Sequence, residues 1–251
     1  KLFCPPETPA ADNYKKYLRE LLQKEFETVD YSVIEDIDAN TRRDFILGAA
    51  YYAESEPVLR RLANLYTGSI SGLDPELRNH ILAAKLYFDE SEVFDTWLEQ
   101  YRAESDPEIK SDLLSTLAGF AKQPEHLDQM IALLSQSEVV RPQDHIFLYI
   151  YLLRNYHTRD RVLDWLIQHW DYVVHLTGDK SIEDYVRYAS TLIRTSAEAD
   201  KFYAFFDPKA DDPVLSRSIK IAHTDIDARL RLIEHDTPAV ERKLQELIKG
   251  E

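Results

Sequence analysis

Proline recurs along this chain in one local setting, and that setting constrains the fold more strongly than any other feature. Seven prolines share this setting: each follows Asp, Glu, Gln, Arg or Thr, and helix-favouring residues come after it. Proline is tolerated at the first position of a helix because the N–H group there has no intrahelical partner. Asp or Thr just before it can cap the free N–H groups. We therefore predict helix starts at Pro57, Pro75, Pro107, Pro124, Pro142, Pro213 and Pro238.

Apolar residues between these prolines repeat with helical spacing. Those that share one helical face are Ile109, Leu113, Leu114, Leu117 and Phe120 in one segment, and Val162, Leu163, Leu166, Ile167 and Trp170 in another. No segment shows the sustained alternation of a half-buried strand. The pattern predicts an all-α fold of about twelve helices, arranged as a HEAT/armadillo-like superhelix of stacked antiparallel helix pairs. We expect one helical-repeat domain over 1–251, with 1–11 as an extended N-terminal segment.

Charge and cysteine content exclude several classes of function. The net charge is −15, whereas nucleic acids and anionic membranes attract basic surfaces. We therefore expect neither as a partner. The single cysteine, Cys4, can form neither an internal disulfide nor a thiolate zinc site. No stretch approaches the roughly 18 apolar residues of a membrane span, and no signal peptide opens the chain. These features favour a cytoplasmic protein.

The residue patterns of common catalytic sites are missing from the sequence. Eight histidines are present, but none forms the His-Glu-x-x-His pair that places two zinc ligands on one helical face. Phosphate-binding glycine loops and Gly-x-Ser-x-Gly elbows are also missing. Cys4 lies in a proline-rich segment that we expect to be mobile, which argues against a catalytic nucleophile. We predict no catalytic residue, metal ligand or cofactor site in this chain.

One polar cluster, Arg141-Pro142-Gln143-Asp144, admits two interpretations. In the structural one, it is a helix N-terminus with Asp144 near the positive end of the helix dipole and Gln143 as a capping group. In the functional one, the same polar side chains line a channel.

A second cluster covers 155–160 and is followed by Trp165 and Trp170. Its structural interpretation is a turn between helices with Thr158 as the cap, and two tryptophans packed between layers. The aromatic run over 202–206 is expected to fill the core between the last repeats.

Several short motifs follow one another from residue 74 to about 247. They are Pro75-Glu76-Leu77-Arg78, 105–114, Val140-Arg141-Pro142-Gln143-Asp144, Asn155, Arg159, Trp165-Leu166, Trp170 and Phe205-Phe206, with 41–47 as an earlier repeat. Together they resemble the C-terminal helical domain of the aminopeptidase N family of zinc metallopeptidases, the region shared with the endoplasmic-reticulum aminopeptidases. Two positions depart from the family pattern, because Thr158 replaces a frequent Gly and His169 a frequent Asn.

The resemblance implies a parent enzyme that removes N-terminal residues from peptides with one zinc ion. The family's His-Glu-x-x-His and Gly-x-Met-Glu-Asn motifs are absent here and would lie in an upstream catalytic domain of the same polypeptide. This chain would then be a non-catalytic C-terminal domain that closes over the active site and limits peptide access. The residues expected to contact the peptide are Arg141, Gln143, Tyr156 and Arg159.

A rival hypothesis is a free-standing helical-repeat scaffold that binds a partner protein on its concave face. A concave aromatic or basic stripe over several repeats would favour the scaffold. A flat apolar patch at one end would favour the domain of a larger enzyme, since that end must dock onto the catalytic domain.

Overall fold

A computed structural model describes residues 2–178 and 181–249, and these residues form α-helices joined by short turns. The described part contains no β-strand, so the predicted all-α class is confirmed. The thirteen α-helices found there are α1 (Pro9–Leu21), α2 (Gln23–Thr28), α3 (Ile37–Tyr52), α4 (Glu56–Ala63), α5 (Pro75–Ala103), α6 (Pro107–Phe120), α7 (Pro124–Ala132), α8 (Pro142–Arg154), α9 (Arg159–Gln168), α10 (Trp170–Thr177), α11 (Ile182–Thr191), α12 (Ser196–Phe206) and α13 (Ser216–Lys249). Two short 3-10 helices, Leu133–Ser135 and Asp207–Lys209, follow α7 and α12.

The chain divides into two compact units. The first comprises Phe3–Gln123 together with the chain from Ala239 onward, and the second comprises Pro124–Pro238. The prediction of one domain over 1–251 and the superhelical arrangement stay predictions. Helix α1 begins at Pro9, inside the N-terminal segment that was expected to be extended.

The core of the first unit lies among α4, α5 and α6. Its fully or almost fully buried side chains include Leu59, Leu62, Leu82, Leu86, Trp97, Leu113 and Leu117. Helix α5 bends at Asp89, whose backbone angles leave the helical region (φ −127°, ψ 33°). A buried ion pair joins α5 to α6, because Arg78 Nη1 donates to Asp112 Oδ2 at 2.8 Å. The antiparallel pairing of these two helices follows from the short turn between them.

In the second unit, α8 packs against α9 and α11. The buried residues there include Leu148, Tyr149, Leu152, Val162, Leu166, Tyr185 and Val186. The aromatic run of α12 fills the core as predicted, since Phe202 and Phe206 are fully buried. The Trp170 ring meets the rings of Phe205 and Phe206 edge-on at centroid distances of 5.7 and 5.3 Å. Edge-to-face contacts of this kind stabilise aromatic cores beyond simple burial.

Five of the seven proline-based helix starts are confirmed, and two are wrong. Pro213 precedes α13 by a turn, in which the Asp212 carboxylate accepts the Val214 N–H at 2.9 Å. The carboxylate therefore caps a turn instead of a helix. Pro238 lies inside α13. A proline inside a helix removes one N–H donor and crowds the preceding turn, and α13 continues through Pro238 in spite of both.

The expectation that the segment around Cys4 is mobile is also wrong. Cys4 is buried in a small apolar cluster with Ala10, Ala11 and Leu244, and partly buried aromatic rings pack against that cluster. The Thr8 side chain accepts the Ala11 N–H at 3.3 Å and so caps α1. Burial raises the pKa of the Cys4 thiol, which lowers the fraction of reactive thiolate. Apolar contacts with the end of α13 therefore fix this segment.

Candidate functional site

The four candidate peptide-contacting residues lie in two pairs at opposite ends of α8. Arg141 and Gln143 stand at the start of the helix, and Tyr156 and Arg159 follow its last residue, Arg154. A helix of this length spans about 20 Å. The structure therefore brings the residues together within each pair, but it does not gather all four at one point.

At the start of α8, the Arg141 side chain forms an ion pair. Arg141 Nε donates to Asp144 Oδ2 at 2.5 Å, and Asp144 lies in the first turn, near the positive end of the helix dipole as predicted. Gln143 makes no hydrogen bond within the described part of the chain, so its predicted capping role is wrong. Its side chain is exposed because the second helical position points it toward solvent.

At the end of α8, side chains of the following turn satisfy the last carbonyl groups of the helix. The Thr158 hydroxyl donates to the Leu152 carbonyl at 2.5 Å, and Arg159 Nε donates to the Leu153 carbonyl at 3.3 Å. Thr158 therefore closes α8 and does not cap α9 with its side chain, which corrects the predicted role. Tyr156 is the one aromatic residue of the four candidates, and it is 42% exposed.

A buried histidine lies in the body of α8. His145 is 1% exposed, its Nε2 lies 2.7 Å from the Leu134 carbonyl oxygen, and its Nδ1 lies 2.7 Å from the Tyr185 hydroxyl. A carbonyl can only accept, so Nε2 carries the proton and Nδ1 accepts from Tyr185. Burial lowers the pKa of His145, which keeps the ring neutral. Both ring nitrogens form hydrogen bonds, so His145 has a structural role in the core of the second unit.

The described residues contain no group of three or more His, Cys, Asp or Glu side chains arranged to hold a metal ion. Over the same residues, no helix has both the length and the apolar character needed to cross a membrane.

Three large apolar side chains on and beside α3 are strongly exposed. They are Val33 at 76%, Ile37 at 80% and Phe45 at 74%, and we name them the α3 apolar surface. The inner face of the same helix carries Arg43 and Leu47, which are buried in the first unit. Single exposed apolar residues are common, but three this strongly exposed within the segment 33–45 are candidates for an interaction surface.

Comparison with known proteins settles the family. The model of the family described as the ERAP1-like C-terminal domain matches residues 2–228, which is most of the chain. The chain belongs to the ERAP1-like C-terminal domain family. The resemblance to aminopeptidase N read from the motifs is therefore confirmed.

Relatives of this ERAP1-like domain are much longer than the chain itself. Aminopeptidase N of Lactococcus lactis subsp. lactis is 27% identical over 254 residues, which are 98% of this chain but 30% of that protein. Aminopeptidase N of Lactobacillus helveticus is 27% identical over 95% of the chain and 29% of that protein. Aminopeptidase 2 of Candida albicans is 24% identical over 89% of the chain and 25% of that protein. The chain thus spans about a third or less of these relatives.

Two features of this ERAP1-like domain were not anticipated from its sequence. His145 falls on the apolar face of α8, but the sequence does not distinguish a buried histidine at such a position from one at the surface. Phe45 stands two residues from the buried Arg43, which places it on the opposite side of α3. Phe45 is also two residues from the apolar Leu47, and that offset is the sequence signal that places Phe45 away from the core.

Proposed function

We propose that this ERAP1-like domain is the non-catalytic C-terminal part of a zinc aminopeptidase that removes N-terminal residues from peptides. The observation that carries the proposal is coverage, because 98% of the chain aligns with only 30% of an aminopeptidase N. In this account the zinc ion and the residues that activate water belong to an upstream catalytic domain. The protein works in the cytoplasm, and the domain covers the active site and restricts which peptides reach it.

The α3 apolar surface is the part of the domain that docks onto the upstream catalytic domain. Val33, Ile37 and Phe45 are more exposed than the other large apolar side chains of the described residues. Fully burying an aromatic or branched aliphatic side chain is favourable by about 1.5–3 kcal/mol relative to leaving it exposed. Exposed apolar side chains of this size favour a domain that docks onto another one over a free-standing scaffold.

In this proposal, the two ends of α8 contact the peptide substrate. Gln143 and Tyr156 present exposed side chains, whereas Arg141 and Arg159 already bond within the domain. The two ends are about 20 Å apart, a distance that an extended peptide of about six residues covers. The ends of α8 therefore contact different residues of one bound peptide.

Hydroxyl-radical footprinting of the Phe45 side chain tests the docking. The oxidation rate of Phe45 is measured in this chain alone and in the complete polypeptide that its natural gene encodes. We expect several-fold protection of Phe45 in the complete polypeptide, because docking removes the ring from water. Leu232 is the control, since it is 44% exposed in the second unit, away from α8, and should oxidise equally in both samples. Equal oxidation of Phe45 in both would contradict the proposal.

A further inference from the structure

A pocket of about 350 Å³ opens in the first unit, where α1, α2 and α4 meet. Its apolar lining comes from Phe26, Tyr31, Pro57 and Val58. Small-molecule sites begin at about 300 Å³ and combine an apolar lining with a few polar groups that fix the ligand. The volume therefore suits one small ligand.

Ser55 is a buried polar side chain that faces this pocket without a partner. The residue is 5% exposed and stands just before α4, yet its hydroxyl does not cap the helix. The hydroxyl makes no other hydrogen bond within the described residues. Elsewhere in the chain, Thr8, Asp106 and Thr195 occupy the same position and do cap their helices. The hydroxyl lines the pocket, where a polar group of a ligand can form a hydrogen bond with it.

Two guanidinium groups supply positive charge at the same pocket. The Arg61 guanidinium lies over the Tyr31 ring, 4.4 Å from its centroid, and no carboxylate among the described residues forms an ion pair with it. Arg19 donates one N–H group to the Ala53 carbonyl and has other donors left. The neighbouring Arg60, by contrast, pairs with Glu56 at 2.8 Å. Guanidinium groups pair well with carboxylates, so Arg61 and Arg19 offer a place for a ligand carboxylate.

A carboxylate group also lines the pocket. Glu27 accepts a hydrogen bond from Gln23 Nε2 at 2.8 Å and retains further acceptor sites. Arginines for a carboxylate, a glutamate for an ammonium group and an apolar lining for a side chain are the groups that a zwitterion with an apolar side chain needs. We propose that this pocket binds a free apolar α-amino acid. In the proposed function such an amino acid is the product of the parent enzyme, and on this point alone the inference rests on that function.

Isothermal titration calorimetry on this chain with L-leucine tests the proposal, and it needs no catalytic activity. We expect saturable binding of one leucine per chain. Removing either charged group of the ligand should weaken binding about tenfold or more, so 3-methylbutylamine and 4-methylpentanoate should both bind poorly. Equal affinity for 4-methylpentanoate and leucine would overturn the role of Glu27. Tighter binding of N-acetyl-L-leucine than of leucine would contradict the free amino acid as the ligand and would indicate a peptide C-terminus instead.

Matched variants separate the pocket from a general charge effect. Arg61→Gln should weaken leucine binding about tenfold, whereas Arg60→Gln should leave it unchanged, because Arg60 is paired with Glu56 outside the pocket. Ser55→Ala should also weaken binding while the thermal midpoint of unfolding stays the same, since the hydroxyl makes no bond in the unliganded chain. Absence of leucine binding, or equal effects of the two arginine variants, would refute the site.

Discussion

Glu90 illustrates how single buried residues hold this domain together. Its carboxylate accepts the Lys122 N–H at 3.0 and 3.1 Å and the Gln123 N–H at 3.0 Å, and so ties α5 to the turn that follows α6. We expect Glu90→Ala to lower the free energy of unfolding by about 1–3 kcal/mol in urea denaturation. Glu92→Ala on the same helix is exposed and should stay within about 0.5 kcal/mol of the parent chain. Equal effects of the two would show that the carboxylate is not a tether.

His145 predicts how stability depends on pH at the scale of one residue. Burial lowers the pKa of the folded-state imidazole, whereas the unfolded-state value is about 6.5. As pH falls below about 6.5, the unfolded chain therefore takes up a proton first, and the folded state loses stability. Above that pH both states are neutral at this residue, and its contribution does not change.

Urea denaturation at pH 7.5 and 5.5 measures this effect. We expect His145 to account for a loss of up to about 1.4 kcal/mol over that range. His145→Gln keeps one donor and one acceptor but cannot titrate, so its stability should fall less between the two pH values. His175→Gln changes an exposed histidine and should behave like the parent chain. If His145→Gln retained the whole pH dependence, the neutral buried imidazole would be contradicted.

At the scale of helices, capping by side chains sets where the elements begin. The Asp106 carboxylate accepts the Glu108 and Ile109 N–H groups at 2.9 and 3.2 Å at the start of α6. Asp106→Ala should lower the free energy of unfolding by about 1 kcal/mol, because these two donors lose their partner. Asp106→Asn is the matched control, since an amide oxygen also caps, and it should cost much less. Equal losses for both variants would point to charge instead of capping.

Proline and capping residues made most helix starts readable from the sequence, but they did not fix all of them. Pro107 and Pro213 both follow an aspartate, yet the first begins a helix and the second a turn. A capping carboxylate accepts whichever N–H follows it, so only packing decides between the two. The same limit applies to the site, because Thr158 and Arg159 were recognisable as a turn but not as donors to the carbonyl groups of α8.

At the scale of the whole molecule, the family match and the exposed surface are both consistent with a domain that docks onto the rest of a longer enzyme. The chain aligns along 98% of its length with 30% of an aminopeptidase N, and its α3 apolar surface has no cover within the described residues. Composition predicted a helical, acidic domain, but it carried no information on which helix face stays uncovered. That depends on packing between helices distant in sequence.

The absence of activity in this chain alone tests the central claim most directly. The purified chain is incubated with an aminoacyl anilide and Zn²⁺, its metal content is measured after gel filtration, and the complete polypeptide of its natural gene is assayed in parallel. We predict that the chain retains no stoichiometric zinc and releases no product, while the complete polypeptide hydrolyses the anilide. Turnover by the pure chain that is lost with a chelator and restored by zinc would contradict the account.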